Sequence, residues 1–286
     1  MPLNSPGIEG AKRGAEQAVR QTLSSPWVER LARLGYAAKG VVYVVVGVLA
    51  VRVAFGAGGR AIGTRGALRE VVTGPSGRVM LLLIAVGLCG YVLWRFVQAF
   101  VDADRKGSDA KGLGVRGAYL FSGLVYAGLA VTAVQVLLGS DRGGGEGEAK
   151  EWTAWLLSMP LGGWLVGLAG LVVIGVGLFQ FYKAYTAKFR EQLQLAGAGP
   201  KPRAWVIRFG KVGIAARGVV FVVAGAFLII AALRSDPAQA RGLDGVLDEL
   251  ARQPAGPWLL GGVAAGLVAY GVFMLMLSKY RRIVTA

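Results

Sequence analysis

The chain has 286 residues, 55% of them hydrophobic, with 32 Lys and Arg against 16 Asp and Glu and no His. This hydrophobic content exceeds that of soluble globular domains and predicts a membrane protein. The lack of His excludes His-ligated haem, His-containing zinc and copper sites, and nucleophiles that are activated by His.

The first part of the chain, residues 1–24, is rich in Gly and Ala and carries charges of both signs. This composition predicts a mobile cytoplasmic tail with a short helix over Ala11–Val19. Ser25 and Pro26 follow, and a capping Ser before a first-turn Pro predicts that a helix begins near Trp27. We expect that helix to lie at the membrane interface before the chain turns into the bilayer.

Six apolar segments come next, and each is long enough to cross a bilayer core of about 30 Å as a helix. They span residues 34–55, 78–101, 115–138, 161–185, 207–233 and 258–280. Their polarity does not alternate, which favours helices over a β-barrel. Cys89 lies in the middle of the second segment, where we expect it to be buried, and a single Cys excludes an intrachain disulfide.

Small residues inside the segments predict close helix packing. Gly163 and Gly167 in the fourth segment, and Gly262 and Gly266 in the sixth, have the spacing of small-residue contacts between membrane helices. We expect these glycines to pack within one bundle rather than to form a homodimer.

Three tandem repeats organise the chain, and each opens with a motif that ends on a glycine. The motif runs from Arg33 to Gly40, from Arg116 to Gly123 and from Lys211 to Gly218. Each copy begins a pair of apolar segments, so the repeats cover residues 25–106, 107–196 and 197–286. Self-similarity of this kind predicts an architecture of stacked equivalent units.

A second motif, Pro-x-Gly, precedes the second helix of every repeat at Pro75, Pro160 and Pro254. We interpret it as a turn that directs the chain back into the membrane. The residues just before each proline predict short amphipathic helices on the outer membrane face, over Arg65–Val72, Glu151–Met159 and Asp244–Gln253. The second of these looks degenerate in sequence.

The positive charges identify the cytoplasmic side. If both termini share one side, that side carries 22 Lys and Arg against 7 acids, and the opposite side carries 10 against 9. The positive-inside rule therefore predicts a multi-pass membrane protein with both termini in the cytoplasm. Basic residues next to helix ends attract anionic lipid headgroups rather than nucleic acid.

Each repeat has two spans, so successive repeats enter from the same side and are related by rotation about the membrane normal. The sequence thus predicts an all-α membrane protein whose six helices form a pseudo-threefold bundle. At the motifs of Gly40, Gly123 and Gly218, the Gln253-Pro254 turn and the terminal residues 280–283, the chain resembles a bacterial family of integral membrane proteins, "domain of unknown function 1206". The resemblance implies three two-helix units and supplies no catalytic residues.

Polar side chains inside the apolar segments give the sharpest local pattern. Arg95 and Gln98 in the second segment, and Gln180 and Lys183 in the fourth, lie twenty and twenty-three residues after the prolines of their repeats. A spacing of three residues places each pair on one helix face. The third repeat has apolar residues at the matching positions.

Two interpretations of these residues remain open. In the first, the long basic side chains extend to the headgroups at the nearer membrane surface. In the second, they form an inward-opening basic cleft that holds an anion such as a lipid phosphate, joined by Lys39 and Arg217 from matching positions of the first and fifth segments.

The sequence predicts no enzyme, metal site or cofactor, because it offers no nucleophile constellation. None of the 16 acids lies inside an apolar segment, which disfavours proton-coupled pumps. We expect a non-enzymatic scaffold or lipid-interacting membrane component whose partners are anionic lipids rather than nucleic acid, with protein partners unspecified. The alternative is a transporter or channel for an anion or amphiphile along the threefold axis.

Overall fold

A computed structural model describes residues 26–57, 62–102, 104, 106–140, 146–193 and 200–280. The predicted N-terminal tail and its helix over Ala11–Val19 lie outside the described residues. Within them are nine α-helices: α1 (Pro26–Ala54), α2 (Thr64–Val72), α3 (Gly77–Phe100), α4 (Ala110–Leu137), α5 (Glu146–Leu157), α6 (Gly162–Thr186), α7 (Pro200–Arg234), α8 (Leu243–Arg252) and α9 (Gly256–Tyr280). The predicted all-α class is confirmed.

Six of these helices, α1, α3, α4, α6, α7 and α9, are long and apolar enough to cross a membrane. They are the expected multi-pass set, two in each repeat. The expected turn between an interfacial helix near Trp27 and the first span is wrong, because α1 runs unbroken from Pro26. No proline interrupts this stretch, and an ion pair of Glu29 with Arg33 at 2.7 Å, one turn apart, supports a continuous helix.

The three short helices expected on one face are present as α2, α5 and α8. The second, α5, is helical but begins at Glu146, ahead of the predicted start. After each short helix the chain makes a β-turn with proline in its second position. The N–H groups of Gly77, Gly162 and Gly256 donate to the carbonyls three residues earlier at 2.9, 2.9 and 2.7 Å.

The spanning helices pack in the order α4, α3, α1, α9, α7, α6, with extensive contact between each neighbouring pair. The two ends of this series, α4 and α6, do not form such a contact, although both belong to the second repeat. The bundle is therefore a pseudo-threefold ring that is open at one place. We call the end of the bundle where α1 begins and α9 ends the basic end.

The motif glycines hold neighbouring repeats together. A Cβ on Gly271 of α9 would lie 2.7 Å from the carbonyl oxygen of Gly40 in α1, and the equivalent Gly177 of α6 meets Gly218 of α7 in the same way. In the remaining junction Gly123 of α4 packs on the ring of Phe96. Backbones approach this closely only where no side chain intervenes.

The small-residue pairs predicted from the sequence contribute less to helix packing than the motif glycines do. Gly266 lies against Ala216, but nothing lies within 4 Å of a Cβ built on Gly262, and Gly163 and Gly167 make only ordinary contacts with α7. The expectation of tight packing is wrong at these three positions, because the glycine pairs closer to the basic end, around Gly177, set the closest approach of the helices.

In the first two repeats, the first residue of the motif caps the end of a neighbouring helix in the ring. Arg33 donates to the carbonyls of Ser278 and Lys279 at the end of α9, at 2.7 and 2.6 Å. Arg116 donates to the carbonyls of Ala99 and Phe100 at the end of α3, at 2.8 and 3.1 Å. These acceptors occupy equivalent repeat positions, and the cationic groups satisfy helix-terminal carbonyls.

Replacement of Gly271 by Ala tests the glycine junctions. Because the added Cβ collides with the backbone of Gly40, we expect Gly271→Ala to lower the free energy of unfolding by about 1–3 kcal/mol. Gly262→Ala, at an open position of the same helix, is the control and should lose nothing. Equal stability of the two variants in detergent unfolding would contradict this packing.

Candidate functional site

A cavity of about 180 Å³ lies among the repeats near the basic end. Equivalent positions of all three repeats line it, which places it where the pseudo-threefold axis passes. One set lies one residue before the motif glycines and consists of Lys39, Ser122 and Arg217. A second set lies twenty residues after the turn prolines and consists of Arg95, Gln180 and Met274. A third set, four residues before the glycines, is Tyr36, Tyr119 and Ile214.

Lys39 is the most enclosed cation of the cavity, with only 3% of its surface exposed. Its Nζ donates to the Tyr91 hydroxyl at 3.1 Å. The same Nζ lies 4.4, 4.8 and 5.6 Å from the ring centroids of Tyr126, Tyr91 and Tyr270. Aromatic faces attract a cation, and the attraction strengthens where water is excluded.

Arg95 turns into the cavity and forms a hydrogen-bonded chain. Its Nε and Nη2 donate to the Tyr91 hydroxyl at 2.8 and 2.5 Å, and its Nη1 donates to Gln98 Oε1 at 3.1 Å. Gln98 Nε2 and the Tyr119 hydroxyl then both donate to Asp104 Oδ2 at 2.8 Å. The guanidinium is therefore held by the protein interior and does not extend along α3 toward headgroups.

Arg217 supplies the third repeat's cation. Its Nη1 donates to the Tyr270 hydroxyl at 2.8 Å, and its guanidinium carbon lies 4.8 Å from the Tyr270 ring and 4.9 Å from the Phe221 ring. This arrangement mirrors that of Lys39 with Tyr91, since Tyr91 and Tyr270 hold equivalent positions sixteen residues after their prolines.

An aromatic layer closes the cavity on the side away from the basic end. Tyr43 and Tyr126, each three residues after a motif glycine, are both buried, and the Tyr126 hydroxyl lies 3.5 Å from that of Tyr43. Their rings make edge contacts with Tyr270 and Tyr91 at 4.8 and 4.7 Å. These residues pack between helices.

A 3₁₀ turn after α6, Lys188–Gln192, covers part of the basic end. Ala187, with a left-handed backbone at φ 51°, ends α6 and turns the chain back under the bundle. Phe189 is consequently buried, lines the cavity and makes an edge contact with Phe273 at 5.1 Å between ring centroids.

The lining carries a large excess of positive charge. Lys39, Arg95, Lys183 and Arg217 all border the cavity, whereas no Asp or Glu is among the described residues that line it. Asp104 lies at the edge of the network, where it accepts from Gln98 and Tyr119. Cations removed from water are costly unless a counter-charge compensates them. The arrangement is suited to an oxyanion, which guanidinium and ammonium groups bind by charge-assisted hydrogen bonds.

The structure brings the six residues singled out from the sequence together at one cavity. Lys39, Arg95, Gln180, Lys183 and Arg217 line the cavity, and Gln98 is the fully buried partner of Arg95. Sequence reasoning missed the four tyrosines that line the cavity, Tyr36, Tyr91, Tyr119 and Tyr270. Two of them recur four residues before the motif glycine, and the other two recur sixteen residues after the proline. This recurrence was the signal in the sequence that could have identified them.

One expectation about a single side chain is corrected. Cys89 is exposed on the outside of the bundle rather than buried, because α3 has a lipid-facing side at this position. The aromatic residues nineteen after the prolines do not share one role. Trp94 and Phe273 are buried in the core, but Phe179 is exposed on α6.

Comparison with known proteins gives a family without an assigned activity. The family model described as Domain of Unknown Function (DUF1206) matches residues 34–102, 117–187 and 212–281, and each match takes in two spanning helices. An uncharacterized protein of Bacillus subtilis (strain 168), YxxB, is 37% identical over 258 residues, which cover 90% of this chain and 93% of that protein. No solved structure matches the chain.

Removal of the Tyr91 hydroxyl tests the cation network. Tyr91→Phe leaves the Lys39 ammonium and the Arg95 guanidinium without their shared acceptor, so we expect the free energy of unfolding to fall by about 1–3 kcal/mol. Tyr182→Phe is the matched control, because that hydroxyl also accepts from a lysine, Lys188, at 2.8 Å but is exposed. Its change should stay within about 0.5 kcal/mol. Similar losses in the two variants would contradict the network.

Proposed function

The chain belongs to the family Domain of Unknown Function (DUF1206), and we propose that this member is a non-enzymatic membrane component that binds an anionic lipid headgroup in its basic cavity. The observation that carries the proposal is the charge of the lining, which has four cationic side chains and no carboxylate among the described residues. A bound phosphate compensates this charge, and it is the group that anionic phospholipids present at the membrane surface.

The four cations divide between two roles in the proposed site. Arg95 and Arg217 offer planar guanidinium groups that donate paired hydrogen bonds to phosphate oxygens, whereas Lys39 and Lys183 act as point charges. Tyrosine hydroxyls fix the two guanidinium groups in advance, at 2.5 and 2.8 Å for Arg95 and 2.8 Å for Arg217. Such preorganisation lowers the entropy cost of binding.

The depth of the cavity suits a headgroup. Arg95 lies five residues before the end of α3, which corresponds to about 8 Å of helix rise. We place the basic end in the cytoplasm, where the inner leaflet presents anionic phospholipids, and where the exposed basic residues near the helix ends add a further attraction of about 1 kcal/mol each.

Conduction of an anion along the axis is less well supported than binding. The cavity ends at Tyr91 and Tyr270, against which the buried pair Tyr43 and Tyr126 packs. Apolar residues such as Val46, Leu129 and Leu267 are buried beyond this pair. An ion that crossed this layer would lose its hydration and find no polar replacement. A carrier would first have to separate these side chains.

Neutralisation of the cavity cations tests the proposed function. Each charge-assisted hydrogen bond contributes about 1.5–3 kcal/mol, so we expect Arg95→Gln and Lys183→Gln each to reduce retained phosphatidylglycerol at least about tenfold in native mass spectrometry. Lys211→Gln removes an exposed cation from the helix that carries Arg217 and should retain the lipid. If all three variants retain it equally, the cavity is not the binding site.

A further inference from the structure

The first and third repeats close through two contacts between small residues and backbone. In the first repeat a Cβ on Gly35 of α1 would meet the backbone of Tyr91 in α3, and one on Gly87 would meet Ala38. In the third repeat Gly213 of α7 approaches the backbone of Tyr270 and Gly266 of α9 approaches Ala216. The same four positions of the repeat are used both times.

The second repeat has lost both contacts. At the first contact, the second repeat has Ala118 in place of Gly and Val176 in place of Tyr. At the second contact, it has Phe121 in place of Ala and Val172 in place of Gly. All four residues are exposed, with Phe121, Val172 and Val176 at 69%, 58% and 44%. A side chain as large as Phe prevents the approach that Ala permits. This substitution pattern accounts for the separation of α4 from α6.

The gap between α4 and α6 borders the basic cavity. Tyr119 and Ser122 reach the cavity from α4, and Gln180 and Lys183 reach it from α6. The apolar residues that face outward along both helices, such as Leu124 and Phe179, are exposed. Polar lining residues and apolar outer residues therefore adjoin along one side of the bundle.

The cavity is too small for a whole lipid. A cavity of roughly 150 Å³ admits a molecule the size of benzene, and this one measures about 180 Å³. It can hold a phosphate with a short headgroup, whereas the acyl chains must remain outside. The aromatic layer borders the cavity on the side away from the basic end, and Phe189 borders it at the basic end.

We infer that the gap between α4 and α6 is a lateral opening through which a membrane phospholipid places its phosphate in the cavity while its acyl chains stay in the bilayer. This inference rests on the proposed headgroup site and adds the route by which a double-chained anionic lipid, rather than a free phosphate, reaches it. A soluble phosphate has no need of an apolar passage, whereas the chains of a lipid in the cavity require one.

Reversible closure of the gap tests the inference. In a Cys89→Ala background, Ala118→Cys and Val176→Cys are joined by a bifunctional methanethiosulfonate reagent after delipidation. The control pair, Gly167→Cys with Ala232→Cys, joins α6 to α7, which already touch, since a Gly167 Cβ would lie 3.8 Å from that of Ala232. That separation suits a direct disulfide. Uptake of phosphatidylglycerol from vesicles and binding of radiolabelled inorganic phosphate are then measured on each sample.

We expect the α4–α6 link to slow phosphatidylglycerol uptake at least tenfold, reduction of the link to restore it, and the control link to leave it unchanged. Binding of inorganic phosphate should survive the α4–α6 link, which shows that the cavity itself is intact. Uptake of phosphatidylglycerol at an unchanged rate in the linked protein overturns the lateral opening and leaves the headgroup site standing.

Other outcomes separate the two proposals. If the unlinked protein takes up inorganic phosphate but no phosphatidylglycerol, the ligand is a free anion and the lateral opening is wrong. If the unlinked protein binds neither, the headgroup site fails, and the inference fails with it. If the two introduced thiols resist modification by the reagent, the helices are packed at these positions and the opening is again overturned.

Discussion

Backbone contact through glycine is the constraint on which the bundle depends. Lipid supplies no hydrophobic force between helices, so their association relies on close packing. Helices of different repeats are brought together by Gly40 with Gly271 and by Gly177 with Gly218. The same device closes the first and third repeats internally. Where it is absent, between α4 and α6, the ring stays open. The position of the cavity and its exposure to one side of the bundle both follow from where small residues occur.

The cavity combines features that are unfavourable in isolation. Cationic groups without carboxylates are expensive inside a membrane protein, and tyrosine hydroxyls and rings compensate them only in part. Lys39, Arg95 and Arg217 are nevertheless held in defined positions by Tyr91 and Tyr270. The proposed phosphate ligand restores the charge balance of the cavity.

The sequence predicted the architecture because the repeat is strong, and it identified the polar residues because they recur at fixed distances from Gly40 and Pro75. It could not place Phe189, since an irregular turn after α6 brings it under the bundle. It also missed the opening, which arises from contacts that are lost rather than made. An alignment of the repeats shows Phe121 where the other two have Ala, and Val176 where they have Tyr. The consequence of these differences depends on which helices touch, and the sequence does not give that.

A high-resolution cryo-electron microscopy structure of the protein in nanodiscs containing phosphatidylglycerol tests the account most directly. We expect density for one phospholipid, with its phosphate within hydrogen-bonding distance of Arg95 and Lys183 and its chains passing between α4 and α6. An α4 packed against α6, with a cavity that holds only water, would contradict the account.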